Sequence, residues 1–190
     1  MTARVLLAAL LLVSPLQSFD DAVRAAVQSH KPHWMDMPMH VATDAAKPAL
    51  VTAIVVALVA GPAGRMVALE AAVALAPVNL VVEGMKYVVD RPRPGGGHKR
   101  TNAAYPSSHA ANAFAAATVL ARRWRRTAWF GFPLAAIVAY SRLYLDRHWC
   151  TDVLVGAALG VALALAGIEL FESWRARRKA GRMEPEAGVR

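Results

Sequence analysis

Apolar residues occur along this chain in long runs that short polar or basic stretches separate. Five such runs follow the N-terminal region: Pro48–Gly64, Met66–Val82, Ser107–Ala121, Thr127–Tyr140 and Val153–Leu170. Several are shorter than the roughly 20 residues that a membrane-spanning helix needs, so flanking residues must extend them. The pattern predicts an all-α integral membrane helical bundle of about five to six transmembrane helices, counting an apolar run near the N-terminus.

Small residues dominate these apolar runs. Alanine and glycine make each run only mildly hydrophobic, but they let neighbouring helices approach closely. Gly156 and Gly160 have the GxxxG spacing of a close-packing surface in the last run. The same spacing also arises in simple alanine-rich helices, so both interpretations stay open.

The first 47 residues differ from the rest. Residues 1–18 have a basic residue and then a short apolar run, which fits either a first transmembrane helix or a secretory signal peptide. Residues 19–47 are polar and contain Trp34, which predicts an interfacial segment. Three of the six histidines lie there without the ligand spacing of a metal site, namely His30, His33 and His40. No metal site is therefore predicted.

Composition supports a membrane protein and one domain. The chain has 190 residues, of which 56% are hydrophobic, yet its formal net charge is +9. Long apolar runs separate the basic residues, so a nucleic-acid binder is not expected. Cys150 is the single cysteine, which rules out an internal disulfide. We expect a single membrane domain over residues 1–190, with a catalytic helical core at 48–172 and a basic cytoplasmic tail at 173–190.

Basic clusters predict the topology. Arg122–Arg126 and Arg175–Arg182 are separated by two predicted spans, so they lie on one side, which the positive-inside rule makes cytoplasmic. The segments 86–107 and 142–152 then share the outer face. The first of these is itself basic, through Lys86, Arg91, Arg93, Lys99 and Arg100. Either the assigned parity is wrong or these outer cations bind an anion.

Lys86 and Arg93 are the first candidate functional residues along the chain. Pro92 and Pro94 prevent the preceding helix from continuing, so the two cations can converge from different directions. A guanidinium fork and an ammonium suit phosphate oxygens. Alternatively, interfacial Lys and Arg side chains simply extend to water.

The stretch YPSSHAANAF contains the second cluster, Ser107, Ser108 and His109. Serine ahead of an apolar run is a helix N-cap signal, and capping alone is one interpretation. A helix N-terminus also presents free N–H groups that bind phosphate. His109 would lie in the first turn, where an imidazole can protonate a leaving oxygen.

The third cluster contains Arg142, His148 and Asp152. His148 and Asp152 are four residues apart, so in a helix they would share a face, and a carboxylate could hold one ring N–H and leave the other nitrogen free to attack. Asp152 or Thr151 could instead be the N-cap of the last helix. One nucleophile, one acid and three cations describe phosphoryl transfer to histidine. A Ser-His-Asp hydrolase fits less well because no GxSxG motif surrounds the serines.

Together the motifs K-x6-RP, PSxH and SR-x5-H-x3-D resemble the type 2 phosphatidic acid phosphatase (PAP2) superfamily, over Lys86 to Asp152. The resemblance implies a bundle of about six spanning helices with an outer active site. It implies a metal-independent and cofactor-free membrane lipid phosphatase. The implied roles are nucleophile for His148, orienting partner for Asp152 and general acid for His109. The implied phosphate-binding residues are Lys86, Arg93, Ser107, Ser108 and Arg142. Ser108 departs from the family, which often has glycine there, and this affects the expected substrate preference.

The expected partners are the lipid bilayer and a lipid phosphate or diphosphate: undecaprenyl diphosphate, phosphatidate or phosphatidylglycerol phosphate. The expected location is a bacterial-type inner membrane with the site on the periplasmic face. Two alternatives remain, a vanadium-dependent haloperoxidase-like enzyme and a non-catalytic protein that binds anionic lipid. The pattern says nothing about oligomeric state.

Overall fold

Helices make up nearly all of the chain that the computed structural model describes, namely residues 3–96 and 103–183, with the side chains of 3–15, 47, 57 and 181–183 excepted. The helices are α1 (Ala3–Ser29), α2 (Asp36–Val59), α3 (Pro62–Val89), α4 (Ser108–Arg123), α5 (Ala128–Tyr144) and α6 (Cys150–Met183), with short 3-10 helices at His33–Met35 and Arg125–Thr127. The all-α prediction is confirmed.

Length and hydropathy make this bundle a membrane protein. Within the described residues, α3 and the 150–180 part of α6 are each long and apolar enough to cross a bilayer, with mean hydropathies of 1.7 and 2.2. The bent α2, with its preceding 3-10 turn, provides a third crossing if its two parts act as one span. The integral membrane bundle predicted from the pattern is therefore confirmed, although fewer helices meet these criteria than the five to six expected.

The predicted boundaries of the first apolar run are wrong. Pro48–Gly64 is not one helix, because α2 already begins at Asp36 and ends at Val59, and α3 begins at Pro62. Pro48 lies inside α2, where the helix bends by 41° instead of stopping. The real break is at Gly61, whose φ of 89° favours glycine. Hydropathy alone did not indicate that the polar first half of α2 is helical.

Helix α4 packs against α3, α5 and α6 at the centre of the bundle. Its small residues Ala111 and Ala115 are buried in a core with α3 and α6. A Cβ on Gly156 would lie 2.5 Å from the carbonyl oxygen of Ser107, and one on Gly160 would overlap the carbonyl of Ala111. The GxxxG pair is therefore a close-packing surface of α6 against α4, as one of the two interpretations proposed.

The two ends of the bundle differ chemically. At one end Arg122, in the last turn of α4, lies 3.6 Å from Glu172 of α6. The clusters Arg122–Arg126 and Arg175–Arg182 consequently belong to the same end, as the predicted topology requires. The other end holds the N-terminus of α4 and the loop between α5 and α6. Two residues of the predicted basic outer segment, Lys99 and Arg100, lie outside the described residues, as does the tail beyond residue 183.

Candidate active site

Lys86 lies buried in the last turn of α3 and contacts the start of α4. Its Nζ donates to the hydroxyl of Ser108 at 2.6 Å and to the Glu83 carboxylate at 2.8 Å. The Ser108 hydroxyl in turn donates to Glu83 at 3.2 Å. Ser108 is therefore more than a backbone donor, because its side chain fixes the position of the ammonium group.

Ser107 is the N-cap of α4, as the capping interpretation proposed. Its hydroxyl accepts a long hydrogen bond of 3.5 Å from the backbone N–H of Ala110. Its own N–H donates to the backbone carbonyl of Asp152 at 3.0 Å, which ties the start of α4 to the first turn of α6. His109 follows in the first turn of α4 and is half-buried. The PSSH and His148–Asp152 motifs therefore meet in space.

His148 lies in the loop before α6 and is 4% exposed. Its Nδ1 lies 2.8 Å from the carbonyl oxygen of Ala104 and 3.7 Å from the Asp152 carboxylate. A carbonyl oxygen can only accept, so Nδ1 carries the proton and the lone pair of the neutral ring is on Nε2. This is the tautomer that the sequence predicted. The shorter Nδ1 contact is however to Ala104 rather than to Asp152, and His148 lies before α6, so His148 and Asp152 do not share a helical face.

Burial and two neighbouring arginines favour the neutral form of the His148 imidazole. Burial lowers the pKa of His148, and Arg142 and Arg93 lower it further, while the Asp152 carboxylate opposes both effects. A neutral ring retains a nucleophilic lone pair near neutral pH. The surroundings of His148 therefore favour a ring that can act as a nucleophile or a base.

Asp152 is held from two sides and is not the N-cap of α6. The helix begins at Cys150, and the Asp152 carboxylate accepts from the backbone N–H of Trp149 at 2.8 Å. This is the reciprocal half of a capping box. Its other oxygen accepts from Arg91 at 2.7 Å. The carboxylate, which is fully buried, is thereby fixed beside His148.

Arg142 and Arg93 bring two more cations to this end of the bundle. Arg142 is 7% exposed and its Nη1 donates to the hydroxyl of Thr43, which comes from the polar half of α2. Its Nε is buried without a hydrogen-bond partner among the described residues. Burial lowers the pKa of Arg93 and repulsion from Arg147 lowers it further, while Asp152 raises it. The positive charges repel one another, so a bound anion would relieve the repulsion.

Sequence reasoning missed several partners of these residues. The partners that it did not assign are Glu83, Ala104, Thr43 and Asp20. It also gave no role to Arg91. Arg91 belongs to the basic segment 86–107 that the sequence analysis identified. Its position two residues before Arg93 was the available sign that it could lie near the site. Its partner Asp20 is 71 residues away, so no local pattern could connect them.

An apolar cavity lies between helices α2 to α5, with His109 in its wall. It has a volume of about 550 Å³ and its lining includes His109, Asn79 and Asn112 together with aliphatic side chains of α2 to α5. The lining residues Val51, Leu120 and Leu134 are 60%, 41% and 60% exposed, so the cavity opens on the side of the bundle. Within the described residues, no three His, Cys, Asp or Glu side chains are grouped so that they could hold a metal ion.

A family model supports what the geometry indicates. The model of the PAP2 superfamily matches residues 66–176, more than half of the chain and the part that carries every residue of the three motifs. The chain belongs to the PAP2 superfamily.

Among curated relatives of this PAP2 protein, a lipid A 1-phosphatase of Porphyromonas gingivalis is 35% identical over 108 residues, 55% of this chain and 23% of the relative. An undecaprenyl-diphosphatase of Sulfolobus acidocaldarius is 30% identical over 122 residues, 64% of this chain and 53% of the relative. The chain thus spans about half or less of the length of these relatives.

Two solved structures share the PAP2 fold with this chain. The transmembrane PAP2-type phosphatidylglycerolphosphate phosphatase of Bacillus subtilis has a TM-score of 0.70 at 22% identity, covering 91% of this chain and 92% of that one. Aquifex aeolicus LpxE has a TM-score of 0.67 at 21% identity, covering 78% of this chain and 93% of that one. At these identities the likeness establishes the fold of the PAP2 bundle.

Proposed function

We propose that this PAP2 protein is a metal-independent membrane phosphatase that removes phosphate from a lipid phosphate or diphosphate through a phosphohistidine. The observation that carries the proposal is the Nδ1 contact of His148 with Ala104 at 2.8 Å, which leaves the lone pair on Nε2. A buried, neutral imidazole with one nitrogen held keeps the lone pair of its other nitrogen available for nucleophilic attack. Phosphoryl transfer is the reaction class that its cationic surroundings serve.

The chemistry proceeds in two steps. Nε2 of His148 attacks phosphorus and the bond from phosphorus to the leaving oxygen breaks, while His109 gives that oxygen a proton. Water then attacks the phosphohistidine, His109 takes a proton from this water, and the P–N bond breaks to release phosphate. Splitting one displacement into two restores His148 at the end of each cycle.

Cations and helix-end N–H groups stabilise the phosphoryl oxygens in this proposal. Lys86, Arg93 and Arg142 would supply the charge that a metal supplies in other phosphotransferases. The buried Nε of Arg142 has no partner among the described residues. A buried unsatisfied N–H costs about 1–3 kcal/mol, which a phosphate oxygen would offset. The N–H groups at the start of α4 would bind a further oxygen.

The apolar cavity supports a lipid substrate. His109 lies in its wall, and most of the other lining side chains are aliphatic or alanine. A hydrocarbon chain in this cavity would remain in an apolar medium while its phosphate reaches the cations at the bundle end. Because the cavity opens on the side of the bundle, the lipid could enter from the bilayer.

Candidate substrates are undecaprenyl diphosphate, phosphatidate and phosphatidylglycerol phosphate, and the name of one relative adds lipid A 1-phosphate. We favour a prenyl diphosphate, because an undecaprenyl-diphosphatase is among the relatives and matches 64% of this chain. The site would lie on the periplasmic face of a bacterial-type inner membrane, opposite the two arginine clusters.

Purified protein assayed with this panel of lipid phosphates tests the proposal. We expect phosphate release that continues in EDTA, inhibition by vanadate, and no turnover in His148→Ala. The matched control is His33→Ala, which changes a histidine of the exposed 3-10 helix and should leave turnover unchanged. Substantial activity in His148→Ala, or loss of wild-type activity in chelator with recovery on adding Mg²⁺, would contradict the mechanism.

A further inference from the structure

Asp20 of α1 is a fully buried carboxylate at the outer end of the bundle. Its oxygens accept from the backbone N–H of Thr151 at 2.8 Å and from the hydroxyl of Thr151 at 2.6 Å. Thr151 is in the first turn of α6, so Asp20 satisfies one of the free N–H groups at that helix end. A carboxylate from α1 therefore caps the helix that carries Asp152.

Arg91 joins Asp20 to Asp152. Its Nη2 donates to Asp20 at 2.7 Å and its Nη1 donates to Asp152 at 2.7 Å. The same two nitrogens also donate to Gln17 at 3.0 Å and to Thr151 at 2.7 Å. The terminal nitrogens of this guanidinium are thus engaged by protein groups.

These contacts fix both the position and the charge of the Asp152 carboxylate. One positive charge is shared between two buried carboxylates, so Asp152 acts on His148 at 3.7 Å with only part of its charge. Removing Arg91 would expose His148 to the full carboxylate, while removing Asp20 would leave Arg91 to Asp152 alone. The two changes act on His148 in opposite directions.

We propose that Arg91 and Asp20 are positioning residues of the reaction, which hold Asp152 against His148 and set the charge that His148 experiences. The proposal rests on the proposed function, since it assigns these residues to the same site. It also makes α1 part of the active site, because the bond from Asp20 to Arg91 crosses from α1 to the loop after α3.

The pH dependence of turnover reports on this charge. The charged groups that act on His148 come from three elements, namely Arg93 of the loop after α3, Arg142 of α5 and Asp152 of α6. Beside Asp152 lie Arg91, Tyr105 and Cys150. Apart from Arg91, none of these groups is altered in the variants below, so a shift can be traced to Arg91 or Asp20.

The test measures kcat and KM against pH for Arg91→Gln, Asp20→Asn and the conservative Arg91→Lys. We expect kcat to fall by up to about 100-fold in Arg91→Gln, as for a displaced catalytic group, with KM changed little. The acid limb of its pH profile should move to higher pH by about one unit. This is the low end of the pKa shift that a nearby unpaired carboxylate causes in an imidazole. The limb of Asp20→Asn should move the other way, and that of Arg91→Lys should stay near wild type.

Arg24→Gln is the matched control. Arg24 also lies on α1 and over the Trp149 ring, at 5.8 Å, but it pairs with Asp146 and not with Asp152. This variant should leave the acid limb in place. Thermal unfolding in detergent identifies variants that fail to fold, and Asp20→Asn keeps the test usable if Arg91→Gln is one of them.

A purely structural role predicts a different result. Lowered melting temperatures with unshifted acid limbs, or limbs that move in the same direction in Arg91→Gln and Asp20→Asn, would overturn the proposal. Turnover in His148→Ala would instead overturn the proposed function, so the two failures are distinguishable.

Discussion

The Nδ1 nitrogen of His148 lies 2.8 Å from the carbonyl oxygen of Ala104, a residue in the loop that leads into α4. This contact joins the loop before α6, which carries the proposed nucleophile, to the loop before the proposed phosphate-binding helix. It also determines which ring nitrogen carries the proton. The orientation of the imidazole therefore depends on the relative placement of two loops that are 44 residues apart in the chain.

Turnover should fall as His148 becomes protonated, and this should happen below about pH 6.5, the ordinary pKa of histidine. Burial, Arg142 and Arg93 lower the pKa of His148, so the reactive neutral form persists to lower pH and is lost only as pH falls through that value. A profile of kcat/KM against pH in detergent, which reports ionisations of the free enzyme, measures this limb. Asp152→Asn removes a carboxylate that raises the pKa, so its limb should move to lower pH. An acid limb above 6.5 in the wild type would contradict the prediction.

Ser108→Ala should weaken substrate binding more than Ser107→Ala. The Ser108 hydroxyl accepts from the buried Lys86 ammonium at 2.6 Å, whereas the Ser107 hydroxyl makes only the 3.5 Å contact with Ala110. A hydrogen bond to a charged group is worth about 1.5–3 kcal/mol. Because Glu83 still pairs with Lys86, we expect the lower end, a rise in KM of about tenfold. Steady-state kinetics of the two variants measure the difference, and equal KM values would mean that the Ser108 hydroxyl contributes only to local structure.

Cys150 should face the outer side of the membrane. It is the only cysteine, is half-buried, and begins α6 beside the proposed site. A membrane-impermeant maleimide should label it in right-side-out vesicles and not in sealed inverted vesicles.

The matched control combines Cys150→Ser with Arg125→Cys, which moves the thiol to the exposed turn between α4 and α5. This variant should show the reverse labelling pattern. Detergent-solubilised protein shows whether each thiol can react at all. Labelling of Cys150 only in inverted vesicles would reverse the topology.

Gly160→Ala should destabilise the bundle. A Cβ at this position would overlap the backbone carbonyl of Ala111, so α6 would have to move away from α4. Such overpacking costs about 1–3 kcal/mol, or a decrease in melting temperature of about 2–12 °C for a chain of this size. Gly84→Ala is the matched control, since a Cβ there meets nothing within 4 Å and alanine is the better helix former. Equal melting temperatures in the two variants would show that the helices separate without cost.

The sequence was most informative where a local pattern carries the information. Hydrophobic runs predicted an all-α membrane bundle, because an apolar helix in lipid satisfies its own backbone hydrogen bonds whatever it packs against. The three motifs named Lys86, Ser108 and His148 because each is a short arrangement of suitable side chains. The GxxxG pair indicated a close-packing surface because small residues allow such an approach in any helix.

Boundaries and partners required the tertiary structure. The polar half of α2 is helical because it packs on the bundle, where Thr43 holds Arg142, and no apolar period marks it. Arg91 looked like one more basic loop residue until the fold placed Asp20 and Asp152 on either side of it.

By itself, the sequence determined that this is a helical membrane protein of the PAP2 superfamily, and it supplied the side chains that we propose for phosphate transfer. Only the tertiary structure decided that Ala104 selects the His148 tautomer and that Asp20 of α1 supports Asp152. The physical reason is that hydropathy and motif spacing are local properties of the chain. The direction of a hydrogen bond and the sharing of one positive charge between two carboxylates depend instead on which distant segments pack together.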